Sequence, residues 1–216
     1  MTSTDPLRIA VPKGRLLEPT LAAFAAAGCD VPTEEDIGSR KLVFVCSGIE
    51  WIFVKDCDVP VYVEHGAADA GVAGLDQILE HESTAHSLVE LPFGRCRMSL
   101  IVPVEDSRPR LSGSITVATK YPRLTRQFLD ARGIHADIVA LGGSVELAAV
   151  LKLTTHVIDL VQTGETIRAN GLVEEEVLMN VSPWLIAGRD AYRTEMKRIR
   201  DLVSRIEESI HATFPS

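Results

Sequence analysis

Short apolar runs punctuated by glycine and polar turns alternate along this chain with stretches in which apolar residues recur every three or four positions, the patterns of strands and helices. The first cycle reads as a strand from Leu7 to Val11, a polar turn Pro12-Lys13-Gly14-Arg15, and a helix with Leu17, Leu21 and Phe24 on one face, closed at Gly28. Two β-rich runs follow, KLVFVC (41–46) and EWIFVK (50–55), and Ser47-Gly48 between them predicts a hairpin turn. Asp58 is expected to cap a short helix through Tyr62 and Val63 that closes at Gly66. From Asp69 the segment DAGVAGLDQILEH is small and glycine-rich before it turns helical. Gly71 and Gly74 there would let either a ligand or a neighbouring strand approach the backbone.

Two longer apolar runs, CRMSLIVPV (96–104) and VLMNVSPWLIAG (177–188), are expected to carry the chain between two lobes. Between them SITVATK, a helix through Leu124 and Phe128, DIVAL, a helix from Ser144, HVIDLV and a helix ending at Gly171 alternate as in an α/β lobe with a largely parallel sheet. The organisation that follows is a discontinuous lobe I, 1–95 plus 182–216, and a lobe II, 96–181. In the last segment Tyr192, Met196, Ile199, Val203, Ile206 and Ile210 form an apolar seam on one helix, directed either at its own lobe or at an oligomer interface.

Composition narrows the function classes. At 216 residues and 46% hydrophobic content the chain can bury a sizeable core. A net charge of -8 argues against nucleic-acid or anionic-membrane surfaces, which need a basic face. Cys29, Cys46, Cys57 and Cys96 are irregularly spaced and read as free thiols, and the histidines show no ligand spacing. With no apolar run near the roughly 20 residues of a membrane span and no signal-peptide pattern, a cytoplasmic location is expected.

The segment from His156 to Thr166 is the richest in chemistry. An apolar strand brings Asp159 towards its carboxyl end, and Thr163-Gly164-Glu165-Thr166 then opens a helix. Such a turn offers backbone N–H groups and hydroxyls to an anion, although an ordinary capped turn looks the same. Asp159 could accept hydrogen bonds from a diol. Lys13 and Arg15 flank Gly14 at a strand end, and Arg40 precedes another strand; anion binding and plain solvated charge are both open for them. Ser144 and Glu146 fall at a helix start, where a capping role competes with contact to a substrate hydroxyl.

DLVQTGETIRANGL (159–172) closely resembles the phosphoribosyl-pyrophosphate loop of ATP phosphoribosyltransferases, which open histidine biosynthesis. PKGRL (12–16), SRKLVF (39–44), DVPVYVEHGAADAGVAGLD (58–76), CRMSLIV (96–102), ATKYPRLTRQF (118–128) and GSVELA (143–148) resemble the same family in the same order. The resemblance implies an α/β architecture of the type II periplasmic-binding-protein-like kind, with two lobes around a cleft and the phosphoribosyl-pyrophosphate loop in lobe II. It implies transfer of the phosphoribosyl group of phosphoribosyl pyrophosphate to N1 of the adenine of ATP, giving N1-(5-phosphoribosyl)-ATP and pyrophosphate, with Mg²⁺ carried mainly by substrate phosphates and no protein metal ligand. Arg15 and Arg40 would stabilise the leaving pyrophosphate. Lys13, Gly14, Gly71, Gly74, Ser144, Glu146, Asp159, Leu160, Val161, Gln162, Thr163, Gly164, Glu165 and Thr166 would contact substrate.

The length resembles the short form of the family, which implies a histidyl-tRNA-synthetase-like regulatory subunit and a homodimer within a hetero-oligomer. Two positions depart from the family pattern: Thr155 stands where members often carry an acid, and Lys55 where many carry arginine. A non-catalytic two-lobed module that binds a small ligand is the alternative reading. A purine-salvage phosphoribosyltransferase would have paired acids before the Thr-Gly element, whereas Leu160 follows Asp159 here.

Overall fold

Apolar runs become strands where both of their faces can be covered, and β1 (Leu7–Pro12) does so at the middle of its sheet, with Ile9, Ala10 and Val11 fully buried. A computed structural model describes residues 5–106 and 115–213 of the chain and divides it into two units. One comprises the segments up to Gly94 and from Ser182 onward, the other Arg95–Val181.

In the first unit β1 leads to α1 (Leu17–Ala26), α2 (Glu34–Gly38), β2 (Val43–Cys46), β3 (Ile49–Val54), α3 (Val59–Glu64), β4 (Ala70–Gly74), α4 (Leu75–Glu80) and β5 (His86–Glu90). In the second, β6 (Cys96–Pro103) leads to β7 (Ile115–Thr119), α5 (Pro122–Asp130), β8 (Ala136–Ala140), α6 (Glu146–Val150), β9 (His156–Val161), α7 (Glu165–Ala169) and β10 (Leu172–Val181). The chain then returns to the first unit as β11 (Pro183–Ala187), α8 (Arg189–Thr194) and α9 (Met196–Thr213).

The sheet of the first unit has the order β2-β3-β1-β4-β11-β5, with β1 parallel to both β3 and β4. On one face Phe24, Trp51, Leu185, Ile199, Leu202 and Ile206 share a core, and Phe24 meets Trp51 edge-on at 5.2 Å. On the other, Val59 and Val63 of α3 pack against Ala10 and Ile186. Truncating such a side chain to alanine typically costs about 2–5 kcal/mol. The hairpin forms as expected: Ser47 and Gly48 both have positive φ, 42° and 83°, the primed turn that suits strand twist.

Three local expectations are corrected. Asp58 makes no side-chain cap, because residues 56–58 form a 3-10 turn and the chain enters α3 already helical, so the carboxylate cannot reach back over the first turn. The apolar run 177–188 is two strands, β10 in one unit and β11 in the other; the change comes at Ser182, just before Pro183. The C-terminal seam is likewise broken, at Glu195, into α8 and α9. Ile199, Leu202 and Ile206 enter the core of their own unit, whereas Met196 is 42% exposed.

The second sheet, β10-β6-β9-β7-β8, is mixed rather than largely parallel: β7, β8 and β9 run together, β6 opposes β9, and β10 opposes β6. Ile101, Ala118, Val145, Ala148, Val157, Val161 and Ile167 form a core against it. Of the expected strand SITVATK, Ser114 lies outside the described residues. Because β7, β8 and β9 are parallel, the segments that follow them all start from the same edge of the sheet, where open α/β sheets bind ligands.

Candidate functional site

Each unit carries part of the expected constellation. In the second, the loop after β9 consists of Gln162, Thr163 and Gly164 before α7 begins. Gly164 has φ +77°, and a Cβ there would lie 3.2 Å from Nη1 of Arg168, so the position is suited to glycine twice over. Arg97 donates from Nη1 to the Gln162 carbonyl at 3.2 Å, and Arg168 donates from Nη2 to the Thr163 carbonyl at 3.0 Å. A trans peptide points its C=O and N–H in opposite directions, so tying down these two carbonyls also sets the N–H groups of Thr163 and Gly164. Neither N–H has an acceptor among the described residues. Two adjacent N–H groups with no acceptor among the described residues are donors open to solvent or to an anion, independent of α7, which is five residues long.

Asp159, two residues before the end of β9, is 7% exposed and lies 3.7 Å from Nζ of Lys120, the first residue after β7. Burial pushes its carboxyl above the usual carboxylate range, Lys120 works against that, and the charge of Glu146 adds to it. Glu146 is thereby placed near Asp159. Glu146 opens α6 behind Val145, and its carboxylate makes no hydrogen bond or ion pair among the described residues. Ser144 adopts φ +46°, a left-handed conformation that costs a non-glycine residue about 1–3 kcal/mol and tends to be kept where function needs it. Leu160 and Val161 are ladder residues opposite Met98 and Arg97; Leu160 is half-buried, and Val161 is buried in the core, so any contact Val161 makes to a ligand is through the backbone. Glu165 and Thr166 are exposed in the first turn of α7.

In the first unit Lys13, Gly14 and Arg15 follow the end of β1 and are all exposed. The Lys13 N–H is held by the Val54 carbonyl at 2.8 Å and Arg15 donates to the Gly94 carbonyl at 3.2 Å. Gly14 has φ +85° with open space where a side chain would stand. Arg40, in the turn before β2, is exposed and has no hydrogen bond or ion pair among the described residues. Gly71 and Gly74 have a packing explanation. A Cβ at Gly71 would sit 2.8 Å from Val59 Cγ1, and at Gly74 2.1 Å from Asp76 Oδ1, so protein atoms already fill both places.

Lys120, Arg97, Arg168 and Glu174 did not stand out in the sequence. Arg97 and Glu174 pair across β6 and β10, 77 positions apart, and Lys120 reaches Asp159 only because β7 lies beside β9. Thr155 proves to be at the opposite end of β9 from the loop. Its Oγ donates to the Thr116 carbonyl at 3.0 Å and accepts from the Thr116 N–H at 3.1 Å, stitching β9 to β7. Lys55 is exposed at the turn into the 3-10 segment. No helix among the described residues is long and apolar enough to cross a membrane.

Comparison with known proteins bears on both units. The family model HisG, ATP phosphoribosyltransferase, matches residues 55–208. ATP phosphoribosyltransferase of Geobacter metallireducens is 38% identical over 96% of this chain and all of its own length. That of Deinococcus radiodurans is 42% identical over 94% of this chain and 91% of its own. Among solved structures, the ATP phosphoribosyl transferase (HisG:HisZ) complex from Thermotoga maritima superposes with a TM-score of 0.82 at 28% identity, covering 95% of this chain and 99% of that one. The VFT2 domain of Bordetella pertussis BvgS gives 0.60 at 16% identity, covering 94% and 90%, a likeness of fold alone that places the architecture among the periplasmic-binding-protein-like α/β folds. The chain belongs to the ATP phosphoribosyltransferase family, transferases of the first step of histidine biosynthesis.

Proposed function

We propose that the chain works as its family does, with the Gln162–Gly164 loop receiving the phosphates of phosphoribosyl pyrophosphate. The reaction transfers the phosphoribosyl group to N1 of the adenine of ATP and releases pyrophosphate. The observation that carries the loop assignment is the pair of N–H groups at Thr163 and Gly164 with no acceptor among the described residues, set by two arginine-held carbonyls at the end of a buried strand.

The chemistry requires little proton transfer, since N1 already has its lone pair and pyrophosphate leaves as an anion. It requires positioning and neutralisation of developing charge. Asp159 and Glu146, both acceptors when ionised, bind hydroxyls of the ribose. Ribose hydroxyls also replace for Asp159 the water that burial denies it. Arg15 and Arg40 neutralise the departing pyrophosphate, each with a planar fork suited to phosphate oxygens, and Arg40 has no hydrogen bond or ion pair among the described residues. Lys13 adds charge beside Arg15. Mg²⁺ arrives on substrate phosphates; Asp159 and Glu146 are hard oxygen donors of the kind it accepts, and it lowers the negative charge that the two substrates bring together.

A partner of the HisZ kind is proposed from the Thermotoga complex, with co-expression and light scattering as the check: one joint species is expected, and two independent ones would count against it. The non-catalytic alternative has only shared architecture in its favour. The deciding experiment mixes the chain with ATP, phosphoribosyl pyrophosphate, Mg²⁺ and pyrophosphatase, and seeks phosphoribosyl-ATP by mass spectrometry. Product is expected; its absence, with a HisZ-type partner also present, would overturn the assignment.

A further inference from the structure

We infer that Arg97 is a positioning residue for the anion loop: braced by Glu174, its guanidinium holds the Gln162 carbonyl and so aims the Thr163 N–H at the bound phosphate. The inference rests on the reading of that loop given above. Arg97 is the second residue of β6 and lies directly opposite Val161, the last residue of β9 before the loop. Since β6 runs between β9 and β10, Arg97 can reach both neighbours. Its Nε donates to both oxygens of Glu174 on β10, at 3.0 and 2.8 Å, while Nη1 donates to the Gln162 carbonyl at 3.2 Å.

Glu174 is itself fixed by the hydroxyl of Ser99, a fully buried residue, at 2.8 Å. Burial works against its charge, yet the bonds from Arg97 and Ser99 hold its carboxyl below the usual range, so the brace stays ionised. The guanidinium is thus pinned from one side and presents its other arm to the loop. A pair made only for stability would direct its donors at the acid. Here one arm goes to a main-chain carbonyl whose peptide plane ends in an N–H with no acceptor among the described residues. Lysine could keep the ion pair with Glu174 but has no second, diverging arm for the carbonyl.

The test compares Arg97→Lys and Arg97→Gln with the unaltered chain, measuring phosphoribosyl pyrophosphate binding by calorimetry in the absence of ATP, KM for each substrate, kcat and melting temperature. Both variants should bind phosphoribosyl pyrophosphate about tenfold more weakly and raise its KM to match, as expected for loss of a charge-assisted hydrogen bond. KM for ATP should stay within about twofold, because the loop's effect on binding is local. Arg97→Lys keeps the pair with Glu174 and should melt close to the unaltered chain, so it carries the test if Arg97→Gln fails to fold. Unchanged affinity for phosphoribosyl pyrophosphate in Arg97→Lys would overturn the inference, as would an equal rise in both KM values with a lower melting temperature, the signature of a merely structural role. If the unaltered chain did not bind phosphoribosyl pyrophosphate, the reading of the loop would fall and this assignment with it.

Discussion

The loop after β1 and the loop after β9 both follow the end of a buried strand and both turn on a glycine of positive φ, +85° at Gly14 and +77° at Gly164, yet they are built on different principles. At Gly164 a side chain would crowd Arg168, and the carbonyls of Gln162 and Thr163 are each held by an arginine. At Gly14 nothing lies within 4 Å of the place a Cβ would take, and Lys13 and Arg15 extend from an open turn. Main-chain donors cannot swing one at a time, so a loop that binds through them must be set in advance by residues outside it. Guanidinium groups on flexible stems adjust when the ligand arrives, so such a loop needs only the correct side chains. The first kind of loop should fail when its supports change, the second when its own charges do.

Arg15→Ala puts the second half of that contrast to the largest test. Loss of a charged donor to a departing pyrophosphate should lower kcat by about a hundredfold with a much smaller change in KM, as removal of a transition-state donor does in other enzymes. Steady-state kinetics decide it, and a rise in KM at constant kcat would move Arg15 into ground-state binding. Next comes the pair Gly164→Val and Gly14→Ala. Both force a left-handed conformation on a non-glycine residue, which costs about 1–3 kcal/mol, but only the first also pushes on a supporting arginine. Gly164→Val should therefore raise KM for phosphoribosyl pyrophosphate by at least about tenfold, and Gly14→Ala should change it by a few-fold at most, in line with strain alone. Equal effects would erase the distinction between the loops.

What could be read from the sequence divides along the same line. The strand and helix alternation and the Asp159-to-Thr166 loop are local patterns, visible because strand, turn and helix lie within a dozen residues. Of the loop's two supports Arg168 is local, five positions from Thr163, but Arg97 is not. Arg97 meets Gln162 65 positions away and Glu174 77 positions away, contacts that depend on strand order and register, and β6 pairing antiparallel with both β9 and β10 was not apparent from an alternation that suggested parallel neighbours. The glycines show the converse limit. Gly71 and Gly74 have the composition of a ligand approach, but Val59 and Asp76, which fill their space, act through tertiary packing that a glycine pattern does not record. A continuous apolar run also hides a change of sheet, as at Ser182, because residues 177–188 remain hydrophobic on both sides of it.

The buried carboxylate of Asp159 sharpens the comparison at a smaller scale, since the first unit's loop has only exposed charge. Because burial raises its pKa in the folded chain, the native state keeps the proton longer than the unfolded chain does. Stability from this group is therefore full at low pH and declines as pH rises from the ordinary aspartate value through the raised native one. Asp159→Asn cannot ionise, so its stability relative to the unaltered chain should increase across that window and then level off. Glu174, whose pKa is lowered, contributes in the opposite direction, and comparing variant with parent at each pH cancels it. Urea midpoints over a pH series provide the measurement; a difference that shrinks as pH rises would mean that Lys120 outweighs burial.

The smallest effect is expected at Thr155, where the family pattern would have suggested a large one. An acid here would be four residues from Asp159, roughly 13 Å along an extended strand, and so at the far edge of the sheet from the loop. The hydroxyl of Thr155 instead donates to the Thr116 carbonyl and accepts the Thr116 N–H, joining the starts of β9 and β7. In Thr155→Asp the carboxylate could still accept that N–H but could not donate to the carbonyl, and it would place a charge against the carbonyl oxygen. The variant should lose about 1 kcal/mol of stability, the worth of an ordinary hydrogen bond, while both KM values stay within about twofold. A large gain or loss in affinity for phosphoribosyl pyrophosphate would mean that the two ends of β9 communicate, and the loop could then no longer be regarded as set by Arg97 and Arg168 alone.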